Sequence, residues 1–145
     1  MSALRKLNVD LDKCIGCQAC THACPAGLIN FSDHESLRTL KFAASCAEDC
    51  TRCADVCSEK AIALLAPAEG NAGVFSAEFP LRRCAACDTP YATEQMVTKL
   101  RTSLPALLVP TGLDWINRCL PCRRTTEAAG VARQGLLSRR RAAAR

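Results

Sequence analysis

CIGCQACTHACP, residues 14–25, spaces its cysteines as C-x2-C-x2-C-x3-C and follows the last one with proline. CAEDCTRCADVC, residues 46–57, repeats the plan as C-x3-C-x2-C-x3-C. Cys17, Cys20 and Cys24 map onto Cys50, Cys53 and Cys57 at an offset of 33, and Cys14 maps onto Cys46 at 32. The slip falls within Ala47-Glu48-Asp49, where a bulge before Cys50 can absorb it, and Ser58 stands where the first run has Pro25. Repetition at a fixed offset marks a duplicated unit.

The rest of the chain says what such cysteines are for. It has 145 residues, 12 of them cysteine, and only 4% aromatics, so its core is poor in large side chains and needs staples. MSALRKLNVDLDK (1–13) reads as no signal peptide, so a reducing compartment is expected and metal ligation is favoured over disulfides. A thiol enzyme would need a base, and there are two histidines. His22 is read as packing its loop and His34 as a solvated turn residue. The longest apolar stretch, AIALLAPA (61–68), is far short of the roughly 18 residues of a membrane span. A soluble, cytoplasmic protein is expected, peripheral at a membrane only through partners.

The first run resembles the cluster-binding run of bacterial ferredoxins. Its first three cysteines can wrap one face of a cube, and Gly16 lets the backbone turn tightly beneath it. Pro25 can open the turn that follows. The resemblance implies an α+β, bacterial-type dicluster ferredoxin fold with an internal pseudo-two-fold repeat. It implies two 4Fe-4S clusters with an exchanged fourth ligand: Cys14, Cys17, Cys20 and Cys57 on cluster 1, and Cys46, Cys50, Cys53 and Cys24 on cluster 2. Glu48 and Asp49, if near the sulfurs, are expected to lower the potential of cluster 2.

Local patterns place the elements. LNVDLD (7–12) alternates as a half-buried edge strand, with IALLAP (62–67) as its partner. FSDHESLRTLKF (31–42) reads as a hairpin. AGLI and SEKAI read as short helical turns after each cysteine run. APAEGNAGVFSAEFP (66–80) reads as a linker. Thr93 is an expected N-cap, with a helix over 94–103 closed by Pro105. Leu107, Leu108 and Val109 are read as a buried strand. The tail reads as weakly helical at best. The expected division is a ferredoxin domain at 1–66, a linker at 67–80, a four-cysteine module at 81–124 and a basic tail at 125–145.

The second cysteine system is CAAC (84–87) and CLPC (119–122). Two such pairs can form a tetrahedral site from Cys84, Cys87, Cys119 and Cys122. CAACDTPY resembles the knuckle of zinc ribbons and rubredoxins, with Asp88 suited to a left-handed backbone. Rubredoxins are aromatic-rich and this segment is not, so one structural Zn is favoured over a rubredoxin-type Fe or free thiols. Trp115 is read as the anchor of a small core. Residues 1–66 carry seven Lys/Arg against eight Asp/Glu, whereas 118–145 carry eight Arg against one Glu. The basicity belongs to the tail. It is read as a solvated or docking segment, with no nucleic acid expected, because no aromatic surface for stacking bases accompanies it.

A two-cluster domain followed by two CxxC pairs resembles the small iron–sulfur subunits of formate hydrogenlyase and related hydrogenases. The ferredoxin part also resembles subunits of CO-induced hydrogenase and respiratory complex I. The resemblance implies an electron carrier rather than an enzyme. Its partners would be hydrogenase and formate or CO dehydrogenase subunits. Two other readings are a free diffusible ferredoxin with an appended zinc module and a metal-stabilised regulatory protein that binds nucleic acid through its tail.

Overall fold

The computed structural model describes residues 4–43, 45–47, 49–65, 74–104 and 114–143. The duplication in the sequence is a duplication in space. Strand β1 (Leu4–Val9), helix α1 (Ala19–Ala23) and strand β2 (Ile29–His34) form one unit. Strand β3 (Leu37–Phe42), helix α2 (Arg52–Asp55) and strand β5 (Ile62–Leu65) form the other, each element starting at the same offset that relates Cys17 to Cys50. A short strand, β4 (Ser45–Ala47), is inserted in the second unit. The strands are exchanged: β1 pairs with β5 from Lys6↔Leu65 to Val9↔Ile62, and β2 pairs with β3 from Ile29↔Phe42 to His34↔Leu37. Neither unit closes without the other.

The β2–β3 hairpin turns at Glu35-Ser36, inside the expected segment, with Glu35 left-handed at φ 52°. β1 is not an edge strand. β4 covers its second side through Arg5↔Cys46, so its order is β4-β1-β5. The helical turns expected at AGLI and SEKAI are not helical. The helices lie inside the cysteine runs, and the chain reverses afterwards at Gly27 (φ 62°) and at its counterpart in the second repeat, Lys60 (φ 52°). Glycine takes this conformation without strain, whereas Lys60 takes it at a cost of about 1–2 kcal/mol.

Residues 75–80, expected in a linker, belong to strand β6 (Phe75–Arg83), while 67–73 lie outside the described residues. The physical reason is visible in the alternation: Ala77, Phe79 and Leu81 are buried, with the exposed Glu78 and Pro80 between them. β6 pairs with β3 along six positions, from Leu37↔Pro80 to Phe42↔Phe75, and covers an edge that would otherwise stand open. Phe75 stacks on Phe42 at 4.9 Å. Pairing of β6 with strand β7 (Pro90–Thr93) begins only at Leu81, so the missing N–H of Pro80 is not required on that side. The sheet β2-β3-β6-β7 therefore runs through what the sequence divided at 66 and 81.

Thr93 caps helix α3 (Glu94–Ser103), accepting a hydrogen bond from the Met96 N–H at 3.1 Å. The strand expected at Leu107–Val109, and Pro105, lie outside the described residues. The tail is the largest departure: helix α4 (Leu120–Ala143) begins inside the second cysteine pair and runs 24 residues. Alanines and arginines are good helix formers, and they outweigh Gly130 and Gly135. One core gathers Leu7, Ile29, Leu40, Phe42, Ile62 and Phe79 between the repeats. A smaller one gathers Ala92, Val97 and Ile116. Ile116, fully buried, anchors it. Trp115, the expected anchor, is 38% exposed, with the Arg123 guanidinium 4.9 Å above its ring.

Candidate functional site

The eight cysteines of the two runs gather in two groups, each drawn from both repeats. Cys14, Cys17 and Cys20 line one cavity with Cys57, against Leu40, Phe42 and Ile62; its empty volume is about 360 Å³. Cys46, Cys50 and Cys53 line another with Cys24, against Leu7, Leu28 and Ile29; its empty volume is about 300 Å³. α1 and α2 pack side by side and put the buried Cys20 and Cys53 at matched positions.

The same symmetry governs the exchanged cysteines. The Leu28 N–H donates to Cys24 Sγ at 3.3 Å, and the Ala61 N–H donates to Cys57 Sγ at 3.3 Å. Each bond follows from the left-handed turn at Gly27 or Lys60, which aims the next amides back at the sulfur. Hydrogen bonds to the sulfurs are among the features by which a protein tunes a cluster. Burial, with Cys14 and Cys17 nearby, pushes the Cys20 thiol up to about 12, and it also raises Cys14 and Cys53. Buried thiolates need positive charge, which iron supplies. Four convergent thiols, apolar walls and a few aimed amides fit a cluster in each cavity.

Cluster-loop packing involves the C-terminal part. Gly16, buried and left-handed at φ 67°, lies against β6 and β7: a Cβ there would meet Phe79 Cγ at 2.8 Å and Thr93 Cγ2 at 2.9 Å. Thr93 Oγ1, besides capping α3, donates to the Ile15 carbonyl at 2.5 Å. Lys99 on α3 pairs with Glu59 just after Cys57 at 2.9 Å. Gly16→Ala is expected to cost about 2–4 kcal/mol, from the left-handed backbone and overpacking together. The effect is read as a lowered thermal midpoint of the anaerobically purified chain. An unchanged midpoint would show that the loop moves freely off β6.

The third group is Cys84, Cys87, Cys119 and Cys122, whose sulfurs all lie within 4.8 Å of one another, with Cys87 and Cys119 at 3.6 Å. Tetrahedral ligation at the usual Zn–S length implies S···S separations of about 3.8 Å. Asp88 is left-handed, at φ 60°, as the knuckle requires. The second pair sits at the start of α4. The Cys119 N–H donates to Cys84 Sγ at 3.3 Å, and this bond leads in lowering the Cys84 thiol to about 6. The neighbouring sulfurs of Cys119 and Cys87 push Cys122 up to about 12, so a bare set of four retains a proton that a divalent cation displaces.

The histidines stay outside these groups. His22 is exposed beside Phe31, ring centroids 6.3 Å apart, and His34 is exposed at the end of β2. Glu48 lies outside the described residues and Asp49 is exposed. Three contributors escaped the sequence reading: the Thr93–Ile15 bond, the aimed amides of Leu28 and Ala61, and Arg38. Only Arg38 carried a signal. It shares the inward phase of Leu40 and Phe42 in β3, an odd place for a charge.

Residues 13–62 match the 4Fe-4S dicluster domain family. The match covers about a third of the chain and supports a ferredoxin-type, electron-transfer iron–sulfur protein. No curated protein matches the chain. No described helix is long and apolar enough to cross a membrane.

Proposed function

We propose that the chain carries two 4Fe-4S clusters and a structural zinc ion, and serves as a wiring subunit between a dehydrogenase-side partner and a hydrogenase-type complex related to respiratory complex I. The single observation that carries the two-cluster reading is the sorting of eight cysteines into two crossed, thiol-lined cavities within one fold. Cys14, Cys17, Cys20 and Cys57 hold one cluster, and Cys46, Cys50, Cys53 and Cys24 the other. When bound, such clusters exchange single electrons at low potential. The chain's own part is to exclude water with Leu7, Leu40 and Phe42 and to aim backbone amides at the sulfurs. Cys84, Cys87, Cys119 and Cys122 hold a structural metal, since four thiolates in a closed tetrahedron leave no position for a substrate, and zinc is favoured over a rubredoxin-type iron because the segment is poor in aromatics.

The wiring role rests on the resemblance to hydrogenase subunits and on α4, which offers a basic exposed helix for docking. Val131, Leu136 and Leu137 are all more than half exposed along it. The test is metal and sulfide analysis of anaerobically purified protein, with affinity capture of its partners. About eight Fe, eight sulfide and one Zn per chain are expected, together with hydrogenase or dehydrogenase subunits. About nine Fe without Zn moves the third site to a rubredoxin type. A stable monomer without redox partners favours a diffusible ferredoxin.

A further inference from the structure

We propose that Arg38 sets the reduction potential of the cluster held by Cys14, Cys17, Cys20 and Cys57, and keeps it above that of the other cluster. This rests on the two-cluster reading above.

Arg38 is the only buried charged residue among those described, its side chain 7% exposed. Its guanidinium is fixed from several sides. Nε and Nη2 form a fork onto the two Asp33 carboxylate oxygens, each at 2.7 Å. Nη1 donates to the Gly16 carbonyl at 3.1 Å. With its amide turned so that oxygen faces the guanidinium, Gln18 accepts from Nε and Nη2 at 2.8 Å. The Phe31 ring lies 5.8 Å from the guanidinium carbon. Gly16 and Gln18 flank Cys17. A permanent cation is thus bonded to the residues on either side of one cluster ligand.

Reduction adds one electron and one negative charge to a cluster, with no bond made or broken. A fixed cation in a poorly screened place stabilises that extra charge and raises the potential. Asp33 opposes it, but less: its carboxylate is 38% exposed, so water screens it, and its hydrogen bonds go to the guanidinium.

The duplication supplies an internal comparison. Arg5, on β1, is the counterpart of Arg38 in the first repeat, but it is only half buried. Asp49 is the counterpart of Gly16 in the second repeat and is exposed. The second loop therefore lacks a buried guanidinium among the described residues, and the two cavities differ by one desolvated guanidinium whose carboxylate partner is the more exposed of the pair.

The test is a dithionite-poised redox titration of the full chain, followed by EPR. The wild type is expected to show two reversible waves. Arg38→Gln is expected to move the upper wave down, and Asp33→Asn is expected to move it up, with the lower wave fixed in both. Loosened packing alone would not shift one wave in opposite directions. An upper wave that stays in place, moves the same way in both variants, or moves only together with the lower one overturns the proposal. If Arg38→Gln does not assemble its cluster, Asp33→Asn decides alone: an unchanged or lowered upper wave overturns it. About four Fe per chain in the wild type overturns the two-cluster reading and this proposal with it, whereas about eight Fe titrating as a single wave overturns only the proposal. Two waves without the shift overturn only the proposal.

Discussion

Cys24→Ala is expected to abolish the cluster of Cys46, Cys50 and Cys53 and to leave that of Cys14, Cys17 and Cys20 in place. Iron should fall from about eight to about four per chain, with the loss of one redox wave. Cys57→Ala should remove the complementary wave. The expectation runs against sequence proximity. Cys24 follows Cys20 closely in the chain, yet Cys20 sits within α1 and Cys24 at its C-cap, and Cys24 opens onto the cavity of the second repeat. Residual two-iron or three-iron species would change the count but not which wave disappears. The decisive comparison pairs Cys24→Ala with Cys20→Ala. If both lose the same wave, ligation is local to each run and the crossed arrangement is wrong.

The crossed arrangement also explains why so much of the chain up to Leu65 was legible. A duplicated cysteine spacing is a local pattern, and it carries the strands with it at the same offset. What was less legible depended on contacts between distant residues. β6 is obscured by the glycine, proline and alanine around it; its alternation of Ala77, Phe79 and Leu81 is short, and the open edge of β3 gives it the partner that makes it a strand. β1 reads as an edge because nothing in Ser45–Ala47 announces a third strand, yet Cys46 pairs there with Arg5. Trp115 reads as the small-core anchor, but its neighbour Ile116 is the buried one, and a short 3-10 turn has too few residues to show a period. Thr93 reads as a cap from its sequence context. Its second role, binding the carbonyl of Ile15, joins two distant parts of the chain and leaves no local trace.

Cys119→Ser is expected to have the largest effect outside the clusters. Cys84 and Cys119 are the two buried members of the four-thiol group, and the Cys119 amide donates to Cys84. Structural zinc sites of this type contribute apparent binding energies on the order of 10 kcal/mol, more than the small core of Ala92, Val97 and Ile116 can replace. Zinc should fall from about one per chain to none. The start of α4 should then detach, taking with it the Arg123 contacts to the carbonyls of Trp115 and Ile116. Limited trypsin digestion is the sensitive readout, since Arg118, Arg123 and Arg124 lie at the released segment. Iron content should persist at first, because β6 is held by β3 independently of the metal. The cluster beside Gly16 should nevertheless decay faster in air than its twin, since Phe79 and Thr93 cover its loop from the hairpin that carries Cys84 and Cys87. Unequal decay in the variant and nearly equal decay in the wild type would place the zinc site in mechanical support of one cluster. Equal decay in both would confine the metal's role to α4.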